Sequence, residues 1–258
     1  MLILVPSSEA KSSVSRGTAL DPARLPFPPL ASPRAAVLEA LIAVSGHPDA
    51  PHRLGVRENL GELVHRNTTL RDAPIAAAEV VYAGVVFHAM GLADLDPASR
   101  RRAHAWVIVI SALWGAVRLC DRIPADRLNM CGRLPGLGHL PQVWQQPLAE
   151  VLPAVARRGV VVDFRTAEYA TAWRPVGALA ERTVVIKVVR SGDRSRGAAS
   201  HNAKRTQGLI VRRIVTDAID PPRPEALAEA LAQHFEVDLR QPRRPGHPWS
   251  LHVVESPS

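Results

Sequence analysis

Four short runs rich in Val, Ile and Leu constrain this chain more than anything else in it: Leu2–Val5, Trp106–Ile110, Val160–Phe164 and Thr183–Val189. Each has strand length rather than helix length, and each stops at a polar or turn-forming cluster. Leu2–Val5 ends at Pro6-Ser7-Ser8, and Val160–Phe164 ends at Asp163 and Arg165. Helical periodicity fills much of the space between them. Residues 33–44 place Val37, Leu38, Leu41 and Ile42 on one face. Further helices are expected over residues 58–66, 73–90, 98–105, 143–156 and 225–234, with an amphipathic segment over residues 200–216. Residues 111–119 read as a turn or helix entry. The stretch 121–140 is rich in Arg, Pro and Gly and reads as a long loop, which in a compact domain often carries function.

Strands and helices alternate without a regular βαβ period. The expected class is α+β: a single compact domain over residues 1–240, with a mixed sheet surrounded by helices. The Pro- and Arg-rich stretch from Gln241 onward reads as a flexible tail. At 258 residues the chain can bury a large core, and no internal repeat is visible.

Several function classes lack support. No apolar run reaches the ~20 residues of a membrane helix, and Met1–Val5 is too short for a signal-peptide core. The expected location is therefore the cytoplasm, with no membrane partner. There are two cysteines, Cys120 and Cys131, and free thiols are expected. The ten histidines have no ligand spacing, so no metal or other cofactor is expected. Phosphate-binding glycine loops, zinc-protease helices and nucleophile elbows are missing.

Charge is more informative. The formal net charge is +8, which suits an anionic partner. The basic residues are 29 Arg and only three Lys, namely Lys11, Lys187 and Lys204. Where arginine serves as the general cation, a retained lysine draws attention. Its compact ammonium loses a proton when desolvated and can act as base, nucleophile or phosphate clamp.

Four polar clusters follow. Ser8-Glu9-Ala10-Lys11 comes after the first strand. Ser111 to Arg118, continuing to Asp121, Arg122 and Arg127, comes after the second. Asp163 to Tyr169, with Glu168, comes after the third. Ser200-His201-Asn202-Ala203-Lys204, running on to Gly208, opens a helix whose N-terminus would favour an anion. Strand ends are where sheets present ligand-binding side chains. Residues 35–66, with Leu54-Gly55-Val56 between two short helices, fit either a helix-hairpin-helix that offers amides to a DNA phosphate or an ordinary helical hairpin.

The same clusters carry a family resemblance. MLILVPSSEAK resembles the opening MLxLLPPSEGKT of the YaaA family, and VYAGVVFHAM is similar to its VYTGxxYxAL. The block from Ile110 to Gly138 resembles SxLxGxLRPxDxIPxYRLxMG. VVDFRTAEYATAWRP resembles xxNLxSxEYxxxxxP, and SHNAKRTQG resembles SxxxKxxxG. Order and approximate spacing agree over residues 1–219. The resemblance implies a compact fold with a basic cleft, binding of duplex DNA through a helix-hairpin-helix-like element, and a role in limiting peroxide and iron damage. By position it implies cleft residues Ser8, Glu9, Lys11, Ser111, Arg118, Asp121, Arg127, Glu168, Tyr169, Ser200, Lys204 and Gly208, beside which His201 stands in the fourth cluster.

Departures from the pattern cluster in the same places. Ala10 stands for Gly, Leu119-Cys120 for Pro-x, Asp126 for an aromatic, Cys131 for Gly, His88 for an acid and Gln207 for a basic residue. They mark a divergent member whose partner can differ. Two functions fit these residues. One is a nucleic-acid-binding protein of oxidative-stress defence. The other is an enzyme on a phosphate-bearing or nucleobase-like small molecule, for example cleaving an N-glycosidic bond. In the second, Lys11 and Lys204 act as clamp, base or nucleophile and Glu9 or Glu168 as acid/base partner. A scaffold without a ligand is a third possibility.

Overall fold

The computed structural model describes residues 1–156, 159–189 and 201–255. Among these, eleven strands form: β1 (Leu2–Pro6), β2 (Ala76–Ala77), β3 (Val107–Ser111), β4 (Gly115–Arg118), β5 (Arg122–Ile123), β6 (Arg133–Leu134), β7 (Gly138–His139), β8 (Val161–Asp163), β9 (Thr183–Val189), β10 (Val237–Arg240) and β11 (Trp249–Val254). Seven build the main sheet in the order β10-β11-β9-β8-β1-β3-β4, and the other four make two small ribbons. Strands β11, β9, β8, β1 and β3 run parallel, while β10 and β4 pair antiparallel at the two edges. The class is α+β with a mixed sheet surrounded by helices, as the sequence implies. Among the described residues, no helix is long and apolar enough to cross a membrane.

β1 shows why the apolar runs are continuous rather than alternating. It lies between β8 and β3, and Leu2, Ile3, Leu4 and Val5 have no exposed surface. A strand covered on both faces has no polar side to alternate with. Burying each such side chain favours folding by about 1.5–3 kcal/mol relative to exposure. The edge strand β4 is blunted by a buried arginine. Arg34 donates to Trp114 O at 2.9 Å and to Ala116 O at 2.7 Å. Burial lowers its pKa to about 10.

Several boundaries differ from the expectation. Trp106 is the last residue of a helix, Pro97–Trp106, and the strand starts at Val107. Asp96 sets the start of that helix by accepting from Ala98 N and Ser99 N. The expected helix over residues 73–90 breaks into β2 and the helices Ala78–Val81 and Val85–Met90. Residues 111–119 hold the turn and the returning strand of the β3–β4 hairpin, so the turn reading holds and the helix entry does not. The long loop carries β5, β6 and β7.

The flexible-tail expectation is wrong. Residues 249–254 form β11, which inserts between β9 and β10 inside the sheet. Leu251 and Val253 are fully buried on one face, and Trp249 Nε1 donates to Glu181 O at 2.9 Å. The domain therefore does not stop at residue 240. Period-two alternation in Trp249-Ser250-Leu251-His252-Val253 outweighs the proline-rich approach to it.

The helix His201–Thr216 lies on Val85–Met90, and Gly208 is the contact point. A Cβ there would come within 2.6 Å of Ala89 Cβ and 3.1 Å of Met90 N. Gly208→Ala should force the helices apart and lower stability by about 1–3 kcal/mol. A fall in the urea midpoint with an unchanged slope would show it. An unaltered midpoint would mean that this contact is looser than described.

Candidate functional site

The parallel strands β1, β3 and β8 all point their carboxyl ends to one edge of the sheet. β1 is followed in sequence by its neighbour on one side, and the chain later returns to β8 on the other. In open sheets, ligands commonly gather outside the strand ends at such a reversal. Ser7 to Lys11 leave β1 at this edge, Ser111 ends β3, and Arg165 to Tyr169 follow β8.

Lys11 is the centre of the cluster. It bridges to Tyr82 through a single antiparallel backbone pairing, and its Nζ lies 5.3 Å from the Tyr82 ring centroid. Asp126 Oδ1 is 3.7 Å away, an ion-pair separation beyond hydrogen-bond length. The two side chains are only 7% and 3% exposed. Burial pulls the Lys11 pKa below its ordinary value; Asp126 opposes this and Arg127 adds to it. The neutral amine is thus more accessible here than on a surface lysine.

Two buried groups beside Lys11 are unsatisfied. The Tyr82 hydroxyl makes no hydrogen bond that meets both distance and angle, and neither does Asp126 Oδ1. Burial pushes the Tyr82 pKa up, with Ser111 holding back part of the rise. The Ser111 oxygen is already used in the β3–β4 turn, accepting from Leu113 N at 3.3 Å and Trp114 N at 3.1 Å. Two further buried atoms among the described residues lack partners, Trp114 Nε1 and Asn129 Oδ1. Buried polar atoms of this kind are few in folded proteins and call for an explanation.

Tyr169 closes the cluster on the β8 side. Its hydroxyl lies 3.0 Å from Ser7 Oγ, and burial raises its pKa to about 12. The loop that carries it is pinned by a buried pair. Arg165 donates to both Asp163 oxygens, at 2.9 and 2.7 Å, and to Trp173 O at 2.9 Å. On the outer rim, Arg127 donates to Glu9 Oε2 at 2.8 Å and to Glu9 O at 2.9 Å. Fully buried Asn67 fixes the backbone of Arg127 from both sides: it accepts from Arg127 N at 2.8 Å and donates to Arg127 O at 3.0 Å. Glu168 is exposed and, with Glu9, acts electrostatically on Cys131.

The site residues expected from sequence thus divide. Ser8, Glu9, Lys11, Ser111, Arg127, Glu168 and Tyr169 converge on this edge. Ser8 sits against Gly84, where no Cβ would fit. Arg118 and Asp121 lie at the far end of the hairpin, because Arg118 pairs with Ile108 at the start of β3. Asp121 accepts from Arg118 N, and Arg118 stacks 5.6 Å from the Phe27 ring. Lys204 and His201 are exposed on their helix, and no contact among the described residues ties them to Lys11. Gly208 is explained by helix packing. Ser200 falls outside the described residues. Tyr82, Asp126, Asn67 and Ser7 complete the cluster; the sequence signals for them are Tyr82 as the Tyr of the VYAG motif and Asp126 as a polar residue in place of an aromatic.

The charge at this edge is mixed rather than basic. Glu9, Asp126 and Glu168 stand against Lys11 and Arg127. Among the described residues, no group of His, Cys, Asp and Glu is arranged to hold a metal ion. Cys120 and Cys131 are both free and exposed, but neighbouring atoms partly desolvate each thiol and raise its pKa, with Asp121 adding to the first and Glu168 to the second. A raised thiol pKa means less thiolate near neutrality. Alkylation by iodoacetamide at pH 7.5 should therefore be slower in the folded protein than in the urea-unfolded chain. Equal rates would refute the shifts.

The hairpin near residues 35–66 differs from two helices with a tight turn. Helix Ala31–Ser45 is followed by a short turn of helix, Ala50–Arg53, and then by a 3-10 turn leading to Gly61–His65. Gly55 takes the left-handed conformation, φ +63. Leu54 and Val56 point into the core. The amides of Leu54, Gly55 and Val56 already donate to Ala50 O, His52 O and Pro51 O. An open groove of about 580 Å³ lies beside it, lined by His52, Arg53, Arg133 and Pro135 among others.

A sheet that gathers Lys11, the Arg127–Glu9 pair and Tyr169 at one carboxyl edge matches the motif order noted in the sequence. Residues 1–241 match the family described as peroxide stress protein YaaA. The chain belongs to that family. It is similar to the UPF0246 protein SCO2297 of Streptomyces coelicolor, 42% identical over 98% of each chain. It is also similar to the UPF0246 protein CE1889 of Corynebacterium efficiens, 34% identical over 84% of this chain and 85% of the relative.

Proposed function

We propose that this member of the YaaA family acts on a small nucleobase-bearing molecule at the carboxyl edge of β1, β3 and β8, within the cell's defence against peroxide damage. The observation that carries the reading is the buried Lys11–Asp126 pair, flanked by a Tyr82 hydroxyl and an Asp126 oxygen with no hydrogen-bond partner. A desolvated amine beside a carboxylate is equipment for moving protons. The unsatisfied oxygens are acceptors for N–H and O–H groups of the kind a nucleobase edge or sugar presents. Mixed charge at the rim favours such a ligand over a polyanion. N-glycosidic cleavage is the reaction that best uses a proton-moving pair and a nearby phenol.

The test is a panel of nucleosides and nucleotides offered to the full-length protein, with binding read by thermal shift and turnover by release of free base. Binding and turnover in the wild type, lost in Lys11→Met, are the expected result. A panel without binding or turnover would remove this reading.

A second reading is supported by the groove beside Gly55. His52, Arg53 and Arg133 give it a basic lining suited to duplex DNA phosphates. Arg53 is already paired with Asp49 at 2.7 Å, and the hairpin amides are occupied, so side chains must supply the contacts. Binding of a random-sequence duplex that weakens steeply with salt, and further in Arg53→Ala plus Arg133→Ala, would favour it. Wild-type affinity in that double variant would exclude the groove.

A further inference from the structure

A general base that only activates water does not need to be an amine, and Asp126 already offers a carboxylate at the same place. What Lys11 adds is a nitrogen nucleophile. Its side chain is desolvated but retains 7% exposure, and its Nζ is not held at hydrogen-bond distance by Asp126. Arg127 stands close enough to disfavour a second positive charge. Amines in such surroundings attack electrophilic carbon, whereas solvated ammonium groups do not. The Tyr82 hydroxyl, buried and unpartnered, is a proton donor on the same side chain that Lys11 covers.

We propose that Lys11 is the nucleophile for an N-glycoside: its amine displaces the base at the anomeric carbon and passes through an imine to the opened sugar. This inference rests on the small-molecule reading of the same site. Substrate binding brings Lys11 and Asp126 from 3.7 Å to hydrogen-bond distance, and Lys11 first gives a proton to Asp126. The neutral amine then forms a bond to the anomeric carbon as the carbon–nitrogen bond to the base breaks. That electron pair leaves with the base nitrogen, which takes the proton from Asp126. Asp126 next removes a proton from the new nitrogen and passes it to the ring oxygen. The ring opens and leaves a protonated imine on Lys11. Water adds to it and releases the aldehyde sugar and the lysine ammonium. The net reaction is N-glycoside plus water to free base plus sugar, with no oxidant or reductant. Asp126 is the proton carrier, and Tyr82 holds the departing base or ring oxygen.

The chain suits a direct test because it has only three lysines. Full-length protein is incubated with adenosine, guanosine, inosine and uridine in separate reactions, reduced with sodium borohydride, digested and mapped by mass spectrometry. Reduction fixes an imine as a stable secondary amine. The expected result is a sugar adduct on Lys11 with at least one nucleoside, and none on Lys187 or Lys204. Lys11→Arg should show no adduct, and Asp126→Asn should trap about 10²–10⁴-fold more slowly. The Asn variant keeps the proposal testable if the Arg variant fails to fold. Thermal shift by the same nucleosides is measured in parallel. A shift without an adduct would overturn the amine step and leave the binding site standing. Neither a shift nor an adduct would overturn both. An adduct at Lys187 or Lys204 instead of Lys11 would also overturn the assignment.

Discussion

Replacing Arg165 with Leu is expected to lower the unfolding free energy by about 3–5 kcal/mol, read as a reduced urea midpoint. The Arg165–Asp163 side chains are only 1% and 6% exposed and form a two-bonded pair. Removing the cation leaves a buried carboxylate with no compensating charge, the costly way to break such a pair. The pair also holds the loop after β8, because Arg165 donates to Trp173 O and, at 3.4 Å, to Tyr169 O. The double variant Asp163→Leu, Arg165→Leu removes both charges and should recover much of the loss. It should still fall short of the wild type by about 1 kcal/mol for each carbonyl left without its donor. A double variant no better than the single one would show that lost packing, rather than the stranded charge, sets the cost.

The second large effect separates stability from chemistry at Lys11. Lys11→Met leaves Asp126 buried without its cation and should cost several kcal/mol, about 3–5 by the same argument. Lys11→Met combined with Asp126→Leu should return stability to about the wild-type level or above it, while the proposed turnover stays lost. A pair that costs stability and can be replaced by apolar side chains is being kept for something other than folding. The pH dependence carries a sign. Burial lowers the Lys11 pKa in the folded state below its ordinary 10.5. The folded protein therefore binds this proton less tightly than the unfolded chain. The stability contributed by this group is complete above pH 10.5 and falls as pH drops through the folded value. The double variant should lose that part of the pH profile. A double variant less stable than Lys11→Met alone would show that the pair is structural.

The strands buried on both faces were legible because a covered strand has nothing polar to show. The ends of β1, β3 and β8 were legible for the same reason: polar residues begin where burial stops. Pairing was not. β4 is four residues without alternation, β10 alternates too briefly to stand out, and β11 hides behind a proline-rich approach. Within the site, Lys11 stood out by the rarity of lysine, and Tyr169 by its place after a strand. Asp126 and Asn67 did not, since each acts across the fold: Asp126 on a lysine 115 positions earlier and Asn67 on a backbone 60 positions later. Local pattern carries no information about such partners. Arg118 and Asp121 were misplaced because a hairpin returns the chain to the opposite end of the strand, and one sequence cluster became two sites in space.

The neighbours β1 and β3 have a further consequence, in time rather than in space. β1 ends at Pro6 and β3 begins at Val107, so about one hundred residues of helix and loop must be looped out before the two strands meet. Contacts this distant in sequence are slow to form, since the entropy of closing the loop is spent before the strand pairing returns anything. Until then, Leu2 to Val5 is an unpaired apolar segment open to other chains. Asp126, which follows β3 in the chain, joins Lys11 across the same separation. Refolding from urea should therefore regain helical signal well before it regains the site, and the interval between them is when the chain is most exposed to aggregation.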